Sequence, residues 1–483
     1  METSIARRIR QLVEEAGDRP VYRHVAIGDE EPAFGWRWLD DRSSRLAGAL
    51  AERGLAVGDT LAIGLRNSPE LLLATLAAWK LGAVPVPVRW DVPAWELDRL
   101  LEVIAPRVHL AATDVGWIDA TAGREAPALP DVVSPQMYGI CSSGATGTPK
   151  VILKERRGIY EPDSGKPMLE AWRPVRRPQT ILVPAPMYHT NGFATLLCLL
   201  AGDHLVVLEK FDPARVVDVV ERHRVTHFTA TPTMLQRIAS LPGIESRDLS
   251  SLEWILQGAA PMPPSLVRRW AELIGAERIV MAYGMTEGFG LTAIRADEWM
   301  AHEGSVGRGF GGTEIRILDE RGRDLPPREI GEIHLRSSVL GPSRYVGNVP
   351  PPRGTDDGFY TAGDLGHLDE DGYLYVVDRR VDMIVTGGAN VFPAEVEAAL
   401  ADHPKIADVV VIGLRDAEWG RRVHAVVEPK DPADPPTAAE VVAWAKSRLA
   451  PYKVPKTVEL VGAVPRSEAT KVNRRRLVEE RGG

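Results

Sequence analysis

The sequence predicts an α/β protein with a large N-terminal domain of parallel-rich sheets covered by helices, a β-rich subdomain, and a small α+β C-terminal domain. Three observations carry this expectation. The 483 residues exceed the ~250–300 at which one hydrophobic core stops growing, so at least two domains are expected. Up to residue 304, helical apolar periodicity alternates with short strand-like runs. After that point closely spaced strands and turns take over, and helices return beyond Asp382.

Taken in order, Leu46-Ala47-Gly48-Ala49-Leu50 and Leu71 to Leu81 fit helices, each followed by a strand-like run, Thr60 to Leu65 and Ala83 to Val88. Further strands are expected at Thr180 to Val183, His204 to Leu208, Thr226 to Thr229 and Ile279 to Ala282. Such alternation favours mainly parallel sheets, whose crossovers are helices. From Thr313 to Val377, turns at Glu320-Arg321-Gly322, Asp357-Gly358 and Glu370-Asp371-Gly372 separate short strands, defining a β-rich subdomain over residues 305–379. The N-terminal domain is therefore expected over residues 1–379 and the C-terminal one over 380–483. In the latter, Glu395 to Ala401 and Ala438 to Leu449 read as helices, and Val409 to Ile412 and Val423 to Val427 as strands.

With 44% hydrophobic and 26% charged residues the composition is that of an ordinary soluble protein, and no apolar run approaches the ~18 residues that span a bilayer. The opening residues interleave charge with single apolar side chains and lack an h-region, so cytoplasmic residence is expected. Cys141 and Cys198 are too few for a disulfide framework or structural zinc site. A net charge of −8 argues against nucleic-acid binding, and Arg474-Arg475-Arg476 reads as a solvated helix face.

The most informative stretch is Ser142-Ser143-Gly144-Ala145-Thr146-Gly147-Thr148-Pro149-Lys150. Its glycines let backbone N–H groups turn toward an anion, its hydroxyls add donors and its lysine adds charge, which suits a triphosphate. The spacing is not that of a Walker loop, because Pro149 separates Gly147 from Lys150 and Val151 follows. Composition alone fits a polar surface turn equally well.

Downstream, Gln257-Gly258-Ala259-Ala260-Pro261, Tyr283-Gly284-Met285-Thr286-Glu287, Thr361-Ala362-Gly363-Asp364, Asp378 to Glu397 and Ala469-Thr470-Lys471 follow in order. With these the chain resembles the adenylate-forming superfamily of acyl-CoA synthetases, adenylation domains and luciferases. The resemblance implies that Ser142, Ser143, Gly144, Thr146, Gly147, Thr148 and Lys150 cradle the phosphates of ATP. It places adenine on Tyr283 beside Gly258, Ala259, Ala260 and Gly284, and the ribose on Asp364 and Arg379. Thr286 is implied at the α-phosphate and Glu287 at Mg2+. Lys471 would bridge the attacking carboxylate and the α-phosphate, and His189 would stand between the acyl pocket and the reacting carboxylate. Taken singly, Tyr283 and His189 also read as core side chains, and Glu287, Asp364 and Lys471 as solvated charges.

The superfamily uses a mobile C-terminal domain for both half-reactions, which puts the joint here at Arg379 to Asp382 and lets Gly387 and Gly388 pass a pantetheine arm in an acceptor tunnel. Val381 occupies the pivot position, where Asp or Lys is common, with Asp382 one place later; Ala145, Val151 and Thr470 are further departures. Tyr283 to Trp299, Gly304 to Arg308, Asp378-Arg379-Arg380 and Gly420 to Val426 look most like the bile acid-CoA ligase branch. This implies an ATP- and Mg2+-dependent carboxylic acid-CoA ligase working through an acyl-AMP, on a bulky cyclic or aromatic acid. Gly288, Gly290, Gly309, Gly311 and Gly312 read either as a roomy acyl lining or as turns. One alternative is an adenylate-forming enzyme of secondary metabolism with a non-CoA acceptor, such as a nitrite-activating diazotase acting on an aromatic amine. The other is a non-catalytic nucleotide or acyl-adenylate binder, against which Lys150, Glu287, Asp364 and Lys471 argue. The expected partners are the acid and CoA, with no nucleic acid or membrane span, in a monomer or homodimer.

Overall fold

The computed structural model describes the chain except residues 1–2, 29, 143–149, 164, 341–342, 348, 380–381, 387–388 and 468–471, and the side chains of Ser142 and Arg379. Its largest layer is a nine-stranded sheet. The central strands Pro20–Val25, His204–Leu208, Thr180–Val183, His227–Ala230, Trp254–Gln257 and Ile279–Gly284 run parallel in that spatial order. Sequence leads to this arrangement because their apolar runs are buried on both faces, as a helix-covered parallel sheet requires. The crossover helices start where a capping side chain precedes a proline. Asp212 accepts the Arg215 N–H ahead of Pro213–His223, and Thr231 accepts the Met234 N–H ahead of Pro232–Ala239.

The edges of this sheet depart from the parallel expectation. Leu291–Arg295 pairs antiparallel with Ile279–Gly284, and Ala33–Gly35 pairs antiparallel with Pro20–Val25. In the first case residues 285–290 form a connection shorter than the dozen or so residues of a parallel crossover. A second, three-stranded parallel sheet, Val84–Pro87, Thr60–Gly64 and Val108–Ala111, packs beside the buried helix Pro69–Lys80. A third sheet is antiparallel and joins Gly139–Ser142, Lys150–Lys154 and Ser343–Val346.

Thr313–Leu318, Gly331–Ser337, Arg353–Gly354, Tyr360–Thr361, Asp364–Leu368 and Leu374–Arg379 form a separate antiparallel sheet, from which Ser343–Val346 departs to join the third sheet. Around its entrance the glycines read either as acyl lining or as turns are tightly packed or take positive φ. A Cβ on Gly309 would lie 2.0 Å from the Thr313 carbonyl oxygen, and one on Gly290 2.7 Å from Thr313 Cγ2. Gly288, Gly311 and Gly312 take positive φ in turns.

The chain ends in a small α+β unit in which Ile406–Asp416 and Gly420–Pro429 make a long hairpin, joined by Thr457–Leu460 in parallel. The hairpin outruns the expected strands because its polar ends, Asp408 and Arg415-Asp416, are held by ladder pairing rather than by burial. Pro393–Ala401 and Ala438–Lys446 cover one face, around a core that includes Val396, Leu400, Val411, Val423, Ala425 and Val427. Ser265 Oγ donates to Asp402 Oδ1 at 2.6 Å and the Ala394 N–H to Asp378 Oδ2 at 3.0 Å, contacts that link this unit to the preceding elements. No helix among the described residues is long and apolar enough to cross a membrane.

Under the large sheet the His227 ring stacks on Trp254 with centroids 3.7 Å apart, and its Nδ1 has no partner among the described residues. Burial lowers its pKa from 6.5 to about 3. The native ring therefore stays neutral while the unfolded chain takes up a proton below 6.5, so stability falls as pH drops from about 6.5 toward 3. By pH 5 the loss from this residue amounts to about 2 kcal/mol. Denaturant unfolding at pH 7 and pH 5 should show His227→Phe losing that much less than the parent; equal losses would remove His227 as a cause.

Candidate active site

The site is assembled on one face of the antiparallel strand pair Lys150–Lys154 and Ser343–Val346. Strand alternation sends Val151 and Leu153 into the apolar cluster with Val84 and Val86, leaving Lys150 and Lys154 on the other face. Register sets Tyr345 opposite Ile152 and Ser343 opposite Lys154, so both partner side chains share that face. The Thr286-Glu287 segment, just past the end of Ile279–Gly284, lies against it. Lys150 Nζ is 3.0 Å from Glu287 Oε1, and the Tyr345 hydroxyl donates to the same oxygen at 3.0 Å. Lys150 Nζ also sits 3.9 Å from the Tyr345 ring centroid. On the Thr286 side, the Thr190 hydroxyl donates to Thr286 Oγ1 at 3.2 Å, and Lys154 Nζ donates to the Thr286 carbonyl at 2.6 Å.

Burial of Glu287 would raise its pKa, but the Lys150 charge and hydrogen bonds from Lys150 and Tyr345 outweigh it and hold the group below its ordinary value. Burial, together with the same contact, pushes the Tyr345 phenol up. Burial lowers the Lys154 ammonium to about 8, against the pull of Glu287. The result is an ionised carboxylate beside hydroxyl and carbonyl oxygens. This donor set suits Mg2+, which takes one or two carboxylates and completes its shell with phosphates and water. Among the described residues no cluster of three or more His, Cys, Asp or Glu could hold a metal ion.

A second constellation lies alongside. The Tyr283 hydroxyl donates to Asp364 Oδ2 at 2.7 Å, joining the end of Ile279–Gly284 to the first residue of Asp364–Leu368. Arg379 is the register partner of Asp364. Gly258, Ala259 and Ala260 form the loop beyond Trp254–Gln257, with Ala259 at φ 73°. The Gln257 amide braces this loop by donating to the Gly258 and Ala260 carbonyls at 3.2 and 2.6 Å. An added Cβ on Gly284 would lie 2.9 Å from Leu291 Cδ1, a tight approach, whereas one on Gly258 would make only an ordinary 3.6 Å contact with the Ala282 oxygen. These loops stand at the carboxyl ends of parallel strands, where α/β sheets bind ligands.

His189 precedes the short helix Thr190–Phe193, its ring 4.5 Å from that of Tyr188, so Thr190 connects it to Thr286. Asn67 fixes the approach to His189 by donating to the Ala185 and Leu208 carbonyls and accepting from the Met187 N–H. Ser143, Gly144, Thr146, Gly147 and Thr148 lie outside the described residues, although their flanks Ser142 and Lys150 are register partners. Lys471, Val381, Gly387 and Gly388 also lie outside them. Asp382 is not part of this cluster: Arg474 reaches it at 3.4 Å and Glu397 at 2.7 and 2.8 Å. Arg474 is thus a packed connector rather than a solvated charge, whereas Arg475 and Arg476 pair with Glu479 and Glu480 on the exposed helix face. The sequence reading missed Tyr345, Lys154, Ser343 and Asn67; only Lys154, a charge two strand periods from Lys150, left a local trace.

Comparison with known proteins matches residues 10–343 to the AMP-binding enzyme family and residues 395–471 to the AMP-binding enzyme C-terminal domain. The chain belongs to the AMP-binding enzyme family. A feruloyl-CoA synthase from Amycolatopsis sp is 35% identical to it over 93% of this chain and 94% of that one. The o-succinylbenzoate CoA synthetase of Bacillus subtilis, in complex with its acyl-adenylate intermediate OSB-AMP, superposes on this AMP-binding enzyme with a TM-score of 0.83 at 27% identity, covering 97% of each chain. That synthetase has also been solved with ATP and a magnesium ion. An amide bond synthetase from Marinactinospora thermotolerans superposes with a TM-score of 0.79 at 27% identity, covering 99% of each chain. The resemblance drawn from the ordered motifs and the division into a large α/β domain and a small C-terminal one are thereby borne out.

Proposed function

We propose that this AMP-binding enzyme joins an aromatic or other bulky cyclic carboxylic acid to CoA in the cytoplasm, through an acyl-AMP. The observation that carries this reading is the convergence of Lys150, Tyr345, Thr190 and Lys154 on Thr286-Glu287, beside the Tyr283–Asp364 pair. The likeness to synthetases of feruloyl-CoA and o-succinylbenzoyl-CoA supports the acid class.

In the first step a carboxylate oxygen of the acid attacks the α-phosphorus of ATP and pyrophosphate leaves. Lys150 and residues 142–148 hold the outer phosphates, Tyr283 and the Gly258–Ala260 loop take adenine, and Asp364 with Arg379 takes the ribose. Bound Mg2+ neutralises phosphate charge, and Glu287 is the residue that would hold it. Thr286 donates to the α-phosphate while Lys471 bridges it and the incoming carboxylate, which His189 orients. In the second step the CoA thiol, having lost its proton to solvent, attacks the acyl carbonyl, AMP leaves and a thioester forms. Gly387 and Gly388 admit the pantetheine arm, and the unit from residue 380 onward turns about Val381-Asp382 between the steps.

The likeness to an amide bond synthetase favours a second reading, in which an amine replaces the thiol. Mass spectrometry of products from ATP, Mg2+, CoA and a panel of steroid, aromatic and fatty acids separates the two. A CoA thioester with AMP supports the ligase. AMP with an amide, formed only when amine is supplied, moves the reaction to the second reading. Failure with every acid directs the search to nitrite and an aromatic amine.

A further inference from the structure

Lys154 differs from Lys150 in making no direct ion pair: among the described residues its ammonium meets two neutral acceptors, the Thr286 carbonyl at 2.6 Å and Ser343 Oγ at 3.1 Å, and the Glu287 charge acts on it only from beyond contact. The side chain is part-buried, and an ammonium drawn away from water without a direct ion pair costs stability that an apolar residue would not. Nothing in the strand requires it, since Val151, Ile152 and Leu153 are apolar and supply the packing. Its position does have a consequence for the site. The carbonyl it holds belongs to the peptide that joins Thr286 to Glu287. Holding that rigid plane restrains Thr286 ψ and Glu287 φ together, and with them the Cα–Cβ directions from which the hydroxyl and the carboxylate extend.

We propose that Lys154 is a positioning residue for nucleotide activation, clamping the Thr286–Glu287 peptide so that both side chains present oxygens to the same magnesium-bound phosphates. This rests on the ligase reading for its rate effect, but not for its effect on Mg·ATP binding. Lys150 and Tyr345 act from one end of the dipeptide through Glu287 Oε1, and Thr190 and Lys154 from the other. Removing Lys154 leaves every group assigned to the substrates in place while freeing the plane that orients two of them.

The test compares the parent with Lys154→Met, which keeps length without a donor, and Lys154→Arg, which restores a charged donor. Thermal unfolding, titration with a fluorescent ATP analogue at varied Mg2+, and acid-dependent pyrophosphate release are measured on each full-length protein. Lys154→Met is expected to melt at or above the parent temperature, to need several-fold more Mg2+ for half-saturation, and to release pyrophosphate about 10- to 100-fold more slowly at unchanged KM for the acid. Lys154→Arg should recover part of both losses. Parent-like Mg2+ dependence and rate in Lys154→Met would overturn the inference. So would a lowered melting temperature with losses that Arg does not relieve, which would make Lys154 a purely structural residue. The Mg·ATP titration needs neither acid nor acceptor. A parent that binds Mg·ATP but adenylates no acid therefore counts against the ligase reading, while the role of Lys154 is still decided by the titration.

Discussion

Lys471→Ala is expected to slow acid-dependent pyrophosphate release by about 10²-fold or more, equivalent to about 3 kcal/mol of transition-state stabilisation. The reaction brings a carboxylate against an α-phosphate, two anions that repel until a cation lies between them. An ammonium bridging both is worth most where their separation is least, in the transition state, so the loss falls on kcat more than on KM for the acid. Thioester formation from a supplied acyl-adenylate and CoA involves no such approach and should stay near the parent rate. The check is therefore a pair of assays on one protein. Equal damage to both half-reactions would assign Lys471 a structural part, and undiminished pyrophosphate release would remove it from the chemistry.

Glu287→Gln keeps the shape of the side chain and deletes its charge. It should weaken magnesium-dependent ATP binding and lower pyrophosphate release by at least about 10²-fold. Two effects add. Magnesium loses its protein carboxylate, and Lys150, with its side chain only 17% exposed, loses the ion pair that neutralises it. Titration of ATP binding against Mg2+ distinguishes them. If the metal term dominates, excess Mg2+ recovers part of the binding; if the loss is insensitive to Mg2+, the Lys150 contact is the cause; unchanged binding and rate would exclude Glu287 as the metal ligand. In the absence of nucleotide the pair also has a pH signature. Because the Glu287 pKa is held below its ordinary 4.5, its contribution to stability is complete above that value and disappears as pH falls through the lower native one. The Gln variant should lack this component of acid sensitivity.

Glu287 and Lys150 belong to stretches recognisable from local order, and Ser142 and Lys150, which flank the glycine-rich run in sequence, are register partners. Helices such as Pro69–Lys80 and strands such as His204–Leu208 are equally readable, because apolar period, caps and proline act over a few residues. Arg474 reads as solvated and is not, for the complementary reason. Its neighbours Arg475 and Arg476 do face solvent, and only the packing of its helix turns the guanidinium toward Glu397 and Asp382.

Composition and periodicity thus suffice for the α/β class and the small C-terminal unit, and the resemblance carried by the ordered motifs suffices for the family. They could not show that Tyr345 caps Glu287, that Lys154 holds the Thr286 carbonyl, that Tyr283 meets Asp364, or that Asn67 braces the segment leading to His189. Each of those contacts joins residues far apart in the chain. Their meeting depends on strand register and on how separate sheets pack, and a one-residue slip in register would send Lys154 and Tyr345 to opposite faces. Local alternation shows which residues of a strand share a face, but which distant strand supplies the partner is decided by the folded arrangement of the sheets.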